Sequence, residues 1–378
     1  MLQTRLTALC LYCLVTGSVV AQTPAAKATP PQPDTVLLND GEKLIGHFVR
    51  ATGSTVIFKS DMLGEITVDW SKIKELHTTG TYAVVGKTVK FGRHPDVSHV
   101  PHGSLDATAQ TIAVQPGGGA AAVNIPVAES AHIIDEPTFQ KDLVRQPGFF
   151  AAWAGAITAG ASIVQATQQS RAFNTAIALV RAIPTESWLA PRDRTLIDLS
   201  ASEGFVSQPN TPRVKTQIVH ADAERDEYFS GKVYAFGQAI FDHNFSQGLD
   251  LQQNYGGGIG YTAIQRGDLT LDVKGSVSYV RQEFQNPANN HNLIGSTFSE
   301  NLLRRFSRGM ILTEQISVTP AWNEMHAWMT TGSAAFNAPV YKRLTFTIGV
   351  LDNFLNDPPP GFRKNSFQAT TGLTYSLR

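Results

Sequence analysis

The sequence predicts an all-β protein: a C-terminal antiparallel transmembrane β-barrel of about twelve strands, preceded by a small soluble β domain. Three observations lead there. A secretory leader opens the chain, two-residue alternation of apolar and polar residues dominates its C-terminal part, and charged residues make up only 16% of it. Ordinary soluble domains carry roughly 25%, so something other than surface charge has to keep this protein dispersed, and a lipid-facing wall would do so.

In the leader, Arg5 supplies the positive region and Leu6 to Val20 the apolar one. Val19-Val20-Ala21 then places small residues at a cleavage site, so residues 1–21 read as a signal peptide with Gln22 as the first mature residue. Cys10 and Cys13 both lie within it, preceded by Leu9 and Tyr12, which do not suit a lipidation box. The mature chain is then free of cysteine and has no disulfide, thiolate metal site or cysteine nucleophile. Lys and Arg number 31 and Asp and Glu also 31. That balance gives no basic stripe for nucleic acid.

Residues 22–34 (QTPAAKATPPQPD) lack hydrophobic periodicity and read as a flexible linker. Residues 35–136 read as short strands of a periplasmic β domain. Val36-Leu37-Leu38 stops at the turn Asn39-Asp40-Gly41, Lys43 to Arg50 and Thr55 to Ser60 follow, and Ile66, Val68 and Trp70 alternate with Thr67 and Asp69. The pattern recurs about 56 residues later. Ala51-Thr52 matches Ala107-Thr108, Val56 and Phe58 match Ile112 and Val114, and Ile66, Val68 and Trp70 match Val123, Ile125 and Val127. Two repeat-like halves of one small β unit fit this better than a single irregular domain.

Residues 148–378 are predicted to form the barrel. In Leu269–Tyr279, the residues Leu269, Leu271, Val273, Val277 and Tyr279 oppose Thr270, Asp272, Lys274, Ser276 and Ser278. In 342–350, Leu344, Phe346, Ile348 and Val350 oppose Arg343, Thr345, Thr347 and Gly349. The chain closes on Phe367, Ala369, Thr371, Leu373, Tyr375 and Leu377. Short connections (265–267, 307–309, 337–339) interleave with longer polar ones (285–292, 353–365), as in outer-membrane barrels. The stretch 184–192 is long where a short turn is expected. Gly148–Val164 is uncharged, but a spanning helix needs about 20 predominantly apolar residues, so a strand is the better reading. A soluble sandwich shows the same alternation and remains the alternative.

Four motifs give a family resemblance: Trp153 with Gly155 and Gly160, the Gly-Ile-Gly-Tyr strand at Gly258–Tyr261, the segment Leu351–Pro359, and the closing Thr371–Tyr375. On these, residues 148–378 resemble the salt-induced outer-membrane protein family, and the front domain resembles the accessory region of its longer members. The resemblance implies a β-barrel in the outer membrane, with the front domain in the periplasm, and no catalytic residues.

Among candidate sites, His94, His99 and His102, near Asp96, are the densest group of zinc-type ligands, but Pro95 and Pro101 mark a loop without spacing that would hold them together. Gly256-Gly257-Gly258-Ile259-Gly260 fails the nucleotide fingerprint, because Tyr261 holds its last glycine position and no helix follows. Asp272 and Lys274 share a polar strand face that a barrel turns to its lumen, where charges pair or tune selectivity. Leu373, Tyr375 and Leu377 occupy the alternating places of an assembly signal, although Arg378 follows where an aromatic terminus is usual. The expected partners are outer-membrane lipid and the barrel-assembly machinery; the residues name no cofactor, catalytic group or ligand. Beside a structural or stress-related envelope protein or a narrow pore, the alternatives are an outer-membrane enzyme acting on lipid or glycan and a soluble periplasmic ligand-binding sandwich.

Overall fold

The computed structural model describes residues 32–89, 96–145, 147–165, 169–207 and 214–377. The leader, the linker up to residue 31 and His94 lie outside them.

The first sheet contains β1 (Asp34–Leu38), β2 (Lys43–Thr52), β3 (Thr55–Ser60), β4 (Gly64–Asp69) and β5 (Ile73–His77). Then come β6 (Tyr82–Gly86), β7 (His102–Ala107), β8 (Thr111–Gln115), β9 (Val123–Pro126) and β10 (Ser130–Asp135). Six strands close a small ring in the order β1-β5-β7-β6-β10-β2; β3 and β4 extend from β2, and β8 and β9 from β7. Exchanging β1–β5 for β6–β10 maps every pairing onto another, so the sequence recurrence corresponds to a pseudo-twofold topology. The two halves also share their turn chemistry. The Thr52 hydroxyl accepts the amides of Ser54 and Thr55, and the Thr108 hydroxyl accepts those of Gln110 and Thr111. A bulge between Phe48 and Arg50 gives β2 one residue more than its counterpart. It accounts for the change in spacing from 57 residues (Gly46 to Gly103) to 56 (Ala51 to Ala107).

Phe48, Val56, Phe58, Trp70, Ile73, Leu105, Ile112 and Ile133 fill the ring's core. Asp34, the last residue of the stretch read as linker, already belongs to β1. Its buried carboxylate accepts the amides of Phe48 (2.8 Å) and Thr79 (2.7 Å), which fixes the chain's entry.

The segment after β10 is helical. Asp135 caps a helical turn, α1 (Glu136–Phe139), by accepting the amide of Thr138, and the coil continues to Val144. Pro137 sits in the first turn, where its missing N–H is harmless. Phe139 and Leu143 bury themselves with Ala83, Val85 and Ile134.

Twelve antiparallel strands then form a closed barrel: β11 (Trp153–Gln165), β12 (Gln169–Ile183), β13 (Asp193–Ser207), β14 (Val214–Tyr228), β15 (Val233–Asn244), β16 (Leu249–Gln265), β17 (Leu269–Phe284), β18 (His291–Arg305), β19 (Ile311–Thr319), β20 (Met329–Tyr341), β21 (Leu344–Leu355) and β22 (Asn365–Leu377). β22 closes on β11, pairing Leu373 with Ala159, Tyr375 with Ile157 and Leu377 with Gly155. From Trp153 onward the stretch weighed as a helix is thus β11, and no helix among the described residues is long and apolar enough to cross a membrane. Closure gives each of the twelve strands a neighbour on both sides and leaves no edge strand, which apolar surroundings demand.

Outward positions alternate with inward ones as the period-two pattern requires. Ile259, Val273, Val277, Ile294, Phe298, Phe346, Ile348, Leu373 and Tyr375 are exposed, while Asp272, Lys274, Ser276 and Ser278 are buried. A large exposed apolar belt around a polar interior reverses the arrangement of a soluble protein and matches a membrane barrel.

Two connections differ from expectation. Asn337-Ala338-Pro339 lies inside β20; the turn is Lys342-Arg343, with Lys342 at φ 46°. Pro339 is tolerated because β19 pairs no further than Asn337 and a bulge follows between Pro339 and Tyr341. The long stretch 184–192 is a docking element. Leu189 joins the cluster around Phe139, Trp188 packs against it, and the Arg50 guanidinium stands 5.0 Å from the Trp188 ring centroid.

Candidate functional site: the barrel lumen

The lumen divides into three regions. Over β13–β17, charged side chains cross it as chords. Arg194 of β13 reaches Asp226 on β14 (2.6 Å) and Asp272 on β17 (3.0 Å), and the hydroxyl of Thr262 donates to Asp272 (2.7 Å). Lys274 of β17 reaches back to Glu224 on β14 (2.6 Å). Asp272 and Lys274 are both buried, but each is paired with a distant strand and not with the other. Above them runs a second chain: His220 bonds Asp242 (2.7 Å), Gln252 donates to Asp242 (3.1 Å), and Gln282 donates to Gln252 (2.8 Å).

A glycine makes room beside the Arg194 chord. Gly256, Gly258 and Gly260 share the lumen face of β16, which runs through the glycine stretch without a break. A Cβ on Gly260 would meet the Tyr234 ring at 2.2 Å. That ring lies across the strand and carries the Arg194 guanidinium 5.4 Å from its centroid.

The opposite wall is neutral. Hydroxyls link the barrel across its closing seam: Asn337 to Thr347 (2.7 Å), Thr347 to Thr374 (2.6 Å) and Thr374 to Thr158 (2.7 Å). Against this wall lies a cavity of about 1230 Å³, bordered by Asn174, Ser200, Gln315 and Thr370 and, at the end near the first sheet, by Trp188 and Leu189. Its charged border includes Asp198 and Asp272.

At the far end Leu249, Val280, Phe284, Leu293, Met329 and Leu355 form a buried apolar layer, joined by Ala321 and Ala327 from a loop. Gln247 lies over it, donating to the carbonyls of Asn353 (3.1 Å) and Lys364 (3.0 Å) across the mouth. None of the layer's apolar residues borders the cavity.

Of the histidines, His102 bonds Glu136 at 2.6 Å and stacks edge-on against Phe139. Burial works against the Glu136 charge, yet hydrogen bonds from Gln140 and His102 hold its pKa below the usual value. His99 is exposed on a turn away from that pair, and no three potential ligands converge on a metal site among the described residues. Leu373, Tyr375 and Leu377 all face outward on β22.

Sequence reading missed the partners Arg194, Glu224 and Asp226. Their signal was present as His220, Asp222, Glu224 and Asp226 at every second position of β14. Ala221 and Ala223 make the outward face so thinly apolar that the alternation does not stand out.

The translocator domain of autotransporter NalP from Neisseria meningitidis is similar over 60% of this chain and 87% of its own, with 11% identity and a TM-score of 0.32. The β domain of the Bordetella autotransporter BrkA covers 60% and 98%, with 11% identity and a TM-score of 0.30. BamA from Haemophilus ducreyi, lacking POTRA domains 1–3, covers 85% and 75%, with 6% identity and a TM-score of 0.22. No curated protein sequence matches the chain. The family model described as protein of unknown function, DUF481, matches residues 157–377, from the opening strand of the barrel to its last, and with more than half its length matched the chain belongs to the DUF481 family.

Proposed function

We propose that the protein is a closed outer-membrane barrel of the salt-induced, stress-related kind, holding its first sheet in the periplasm, and that it serves the envelope structurally and not as an open pore. The observation that carries this reading is the apolar layer of Phe284, Leu293, Met329 and Leu355 beneath Gln247 at the far mouth. Ions do not cross a dry apolar layer without first being stripped of water. The chords of Arg194 and Lys274 narrow the lumen further, and they brace the wall by joining strands that are not neighbours. Outer-membrane lipid and the barrel-assembly machinery are the partners this reading requires.

Planar bilayers test it. Protein reconstituted without denaturant should show no steady conductance, whereas Phe284→Ser with Leu293→Ser should admit water at the mouth and give channel steps. Ohmic steps from the unaltered protein would favour the narrow-pore reading and overturn this one.

A further inference from the structure

The two halves of the first sheet end in equivalent outer hairpins, β3–β4 and β8–β9, each with one edge that pairs with no further strand among the described residues. The Trp70 amide donates to Ser54 (3.2 Å) and the Val127 amide to Gln110 (2.9 Å), so the two hairpins share one hydrogen-bonding parity. In an antiparallel ladder residues alternate between bonding the partner strand and pointing away from it. Val68 and Ile66 therefore bond β3, while Glu65, Thr67 and Asp69 turn their N–H and C=O groups to the open side. On β9 the residues turned outward are Asn124 and Pro126, and Pro126 stands where β4 has Asp69.

The second edge is therefore blocked, since proline has no N–H and its ring obstructs an incoming strand. The first is open. The hairpin tips differ in the same direction: the second is Pro116 followed by Gly117, Gly118 and Gly119, whereas the first presents Met62, 94% exposed, and Leu63, 68% exposed. The Ser60 hydroxyl accepts both of their amides at 3.4 Å and holds this apolar tip in place.

We infer that the β4 edge takes up an extended polypeptide segment with basic residues at alternating positions, added as a further strand. Charge selects the occupant. Glu65, Thr67 and Asp69 are exposed, and neither acid has an ion-pair partner among the described residues. A second copy pairing antiparallel about Thr67 would set Glu65 against Asp69, and a parallel in-register pairing would set each acid beside itself. Like charges directly opposite one another are destabilising, and opposite charges are favoured. An incoming strand with lysine or arginine on that face meets both acids, and its end can cover Met62 and Leu63. The mode is main-chain recognition with side-chain selection.

The test uses the full chain in detergent and a fluorescent synthetic peptide of alternating lysine and threonine, with a glutamate–threonine peptide as control. Polarisation should show saturable binding of the basic peptide alone. Thr67→Pro, which gives β4 the block β9 already has, should weaken it at least about tenfold, near 1.4 kcal/mol. Because a proline can disturb the hairpin, the exposed pair Glu65→Lys and Asp69→Lys provides a second arm and should reverse the preference toward the acidic peptide. Amide exchange should slow at Glu65, Thr67 and Asp69 when peptide is bound. Absence of binding up to roughly 1 mM, binding indifferent to both variants, or unchanged exchange at those three amides would overturn the inference.

Discussion

The ammonium of Lys274 lies 2.6 Å from one carboxylate oxygen of Glu224 and 2.8 Å from the other, and both side chains are 3% exposed. Such a pair stabilises little by its presence, because desolvation offsets the attraction, but losing one partner leaves a bare charge in the interior. Lys274→Met should lower the stability of the barrel by about 3–5 kcal/mol. The double variant Lys274→Met with Glu224→Gln should recover much of that loss. The midpoint of the heat-induced gel shift of folded barrel measures both, and equal losses in the single and double variants would show that the two side chains are not coupled.

Gly260 makes a similarly sharp test of packing. Alanine there would put its methyl 2.2 Å from the Tyr234 ring, which is fully buried. Overpacking of this kind costs about 1–3 kcal/mol. Gly237→Ala, on the same sheet with nothing within 4 Å of the added carbon, should be near neutral. Adding Tyr234→Leu to Gly260→Ala should restore part of the loss in the same gel-shift assay.

These two sites also mark how far the sequence could be read. Period-two alternation sufficed for β17 and β22, since their outward residues are large and their inward ones polar. The same rule reveals which face Asp272 and Lys274 occupy but not which residues they meet, because Arg194 and Glu224 lie 78 and 50 residues away. Cross-lumen contacts depend on how the barrel closes, and no local pattern carries that. The glycine stretch 256–260 reads only as a place where a barrel wall can bend, whereas Gly260 leaves space for the Tyr234 ring from the next strand and Gly258 for the backbone of Gly275 and Ser276. Asp34 ends a stretch rich in Pro, Ala and Thr that lacks hydrophobic periodicity, and only its two amide partners reveal a buried anchor. The turn after β20 was misplaced because proline is a strong turn signal, and its tolerance at a bulge beyond β19 is a tertiary matter.

Contact between the first sheet and the barrel should depend on pH through His132. Its ring is centred 5.6 Å from that of Trp188, whose indole also carries Arg50. Burial lowers the imidazole pKa below its ordinary value near 6.5. A base whose pKa is depressed in the docked state binds its proton more readily when undocked. Docking is therefore fully favoured above about pH 6.5 and weakens as pH falls from there through the lower docked pKa. The amide of Leu189, which donates to Glu186 at 3.0 Å, reports on the loop. After correction for intrinsic rates, its exchange should quicken between about pH 7.5 and about pH 5, and His132→Gln should flatten that dependence. An unchanged dependence in the variant would assign it to another group.

The orientation of β17 gives the most direct test of the membrane assignment, and both cysteines of the sequence lie in the segment read as a cleaved leader, leaving a clean background. Val273 and Val277 are 39% and 56% exposed on the outer face, while Lys274 and Ser276 are buried toward the lumen. In protein reconstituted into vesicles, Val273→Cys and Val277→Cys should react with a lipid-dissolved maleimide and resist a water-soluble one. Ser276→Cys should resist the lipid-borne reagent because the barrel wall stands between them. Arginine supplies the energetic counterpart, since at the bilayer midplane it costs about 2–4 kcal/mol on the lipid face. Val273→Arg should therefore fold poorly into vesicles. A soluble sandwich would punish Val273→Arg as well, because the same face would be its core, so the mutation alone does not separate the two architectures. The lipid-borne reagent does, as it reaches Val273→Cys only through the bilayer. Protection of both valine positions from that reagent in folded, inserted protein would rule out β17 as a membrane strand.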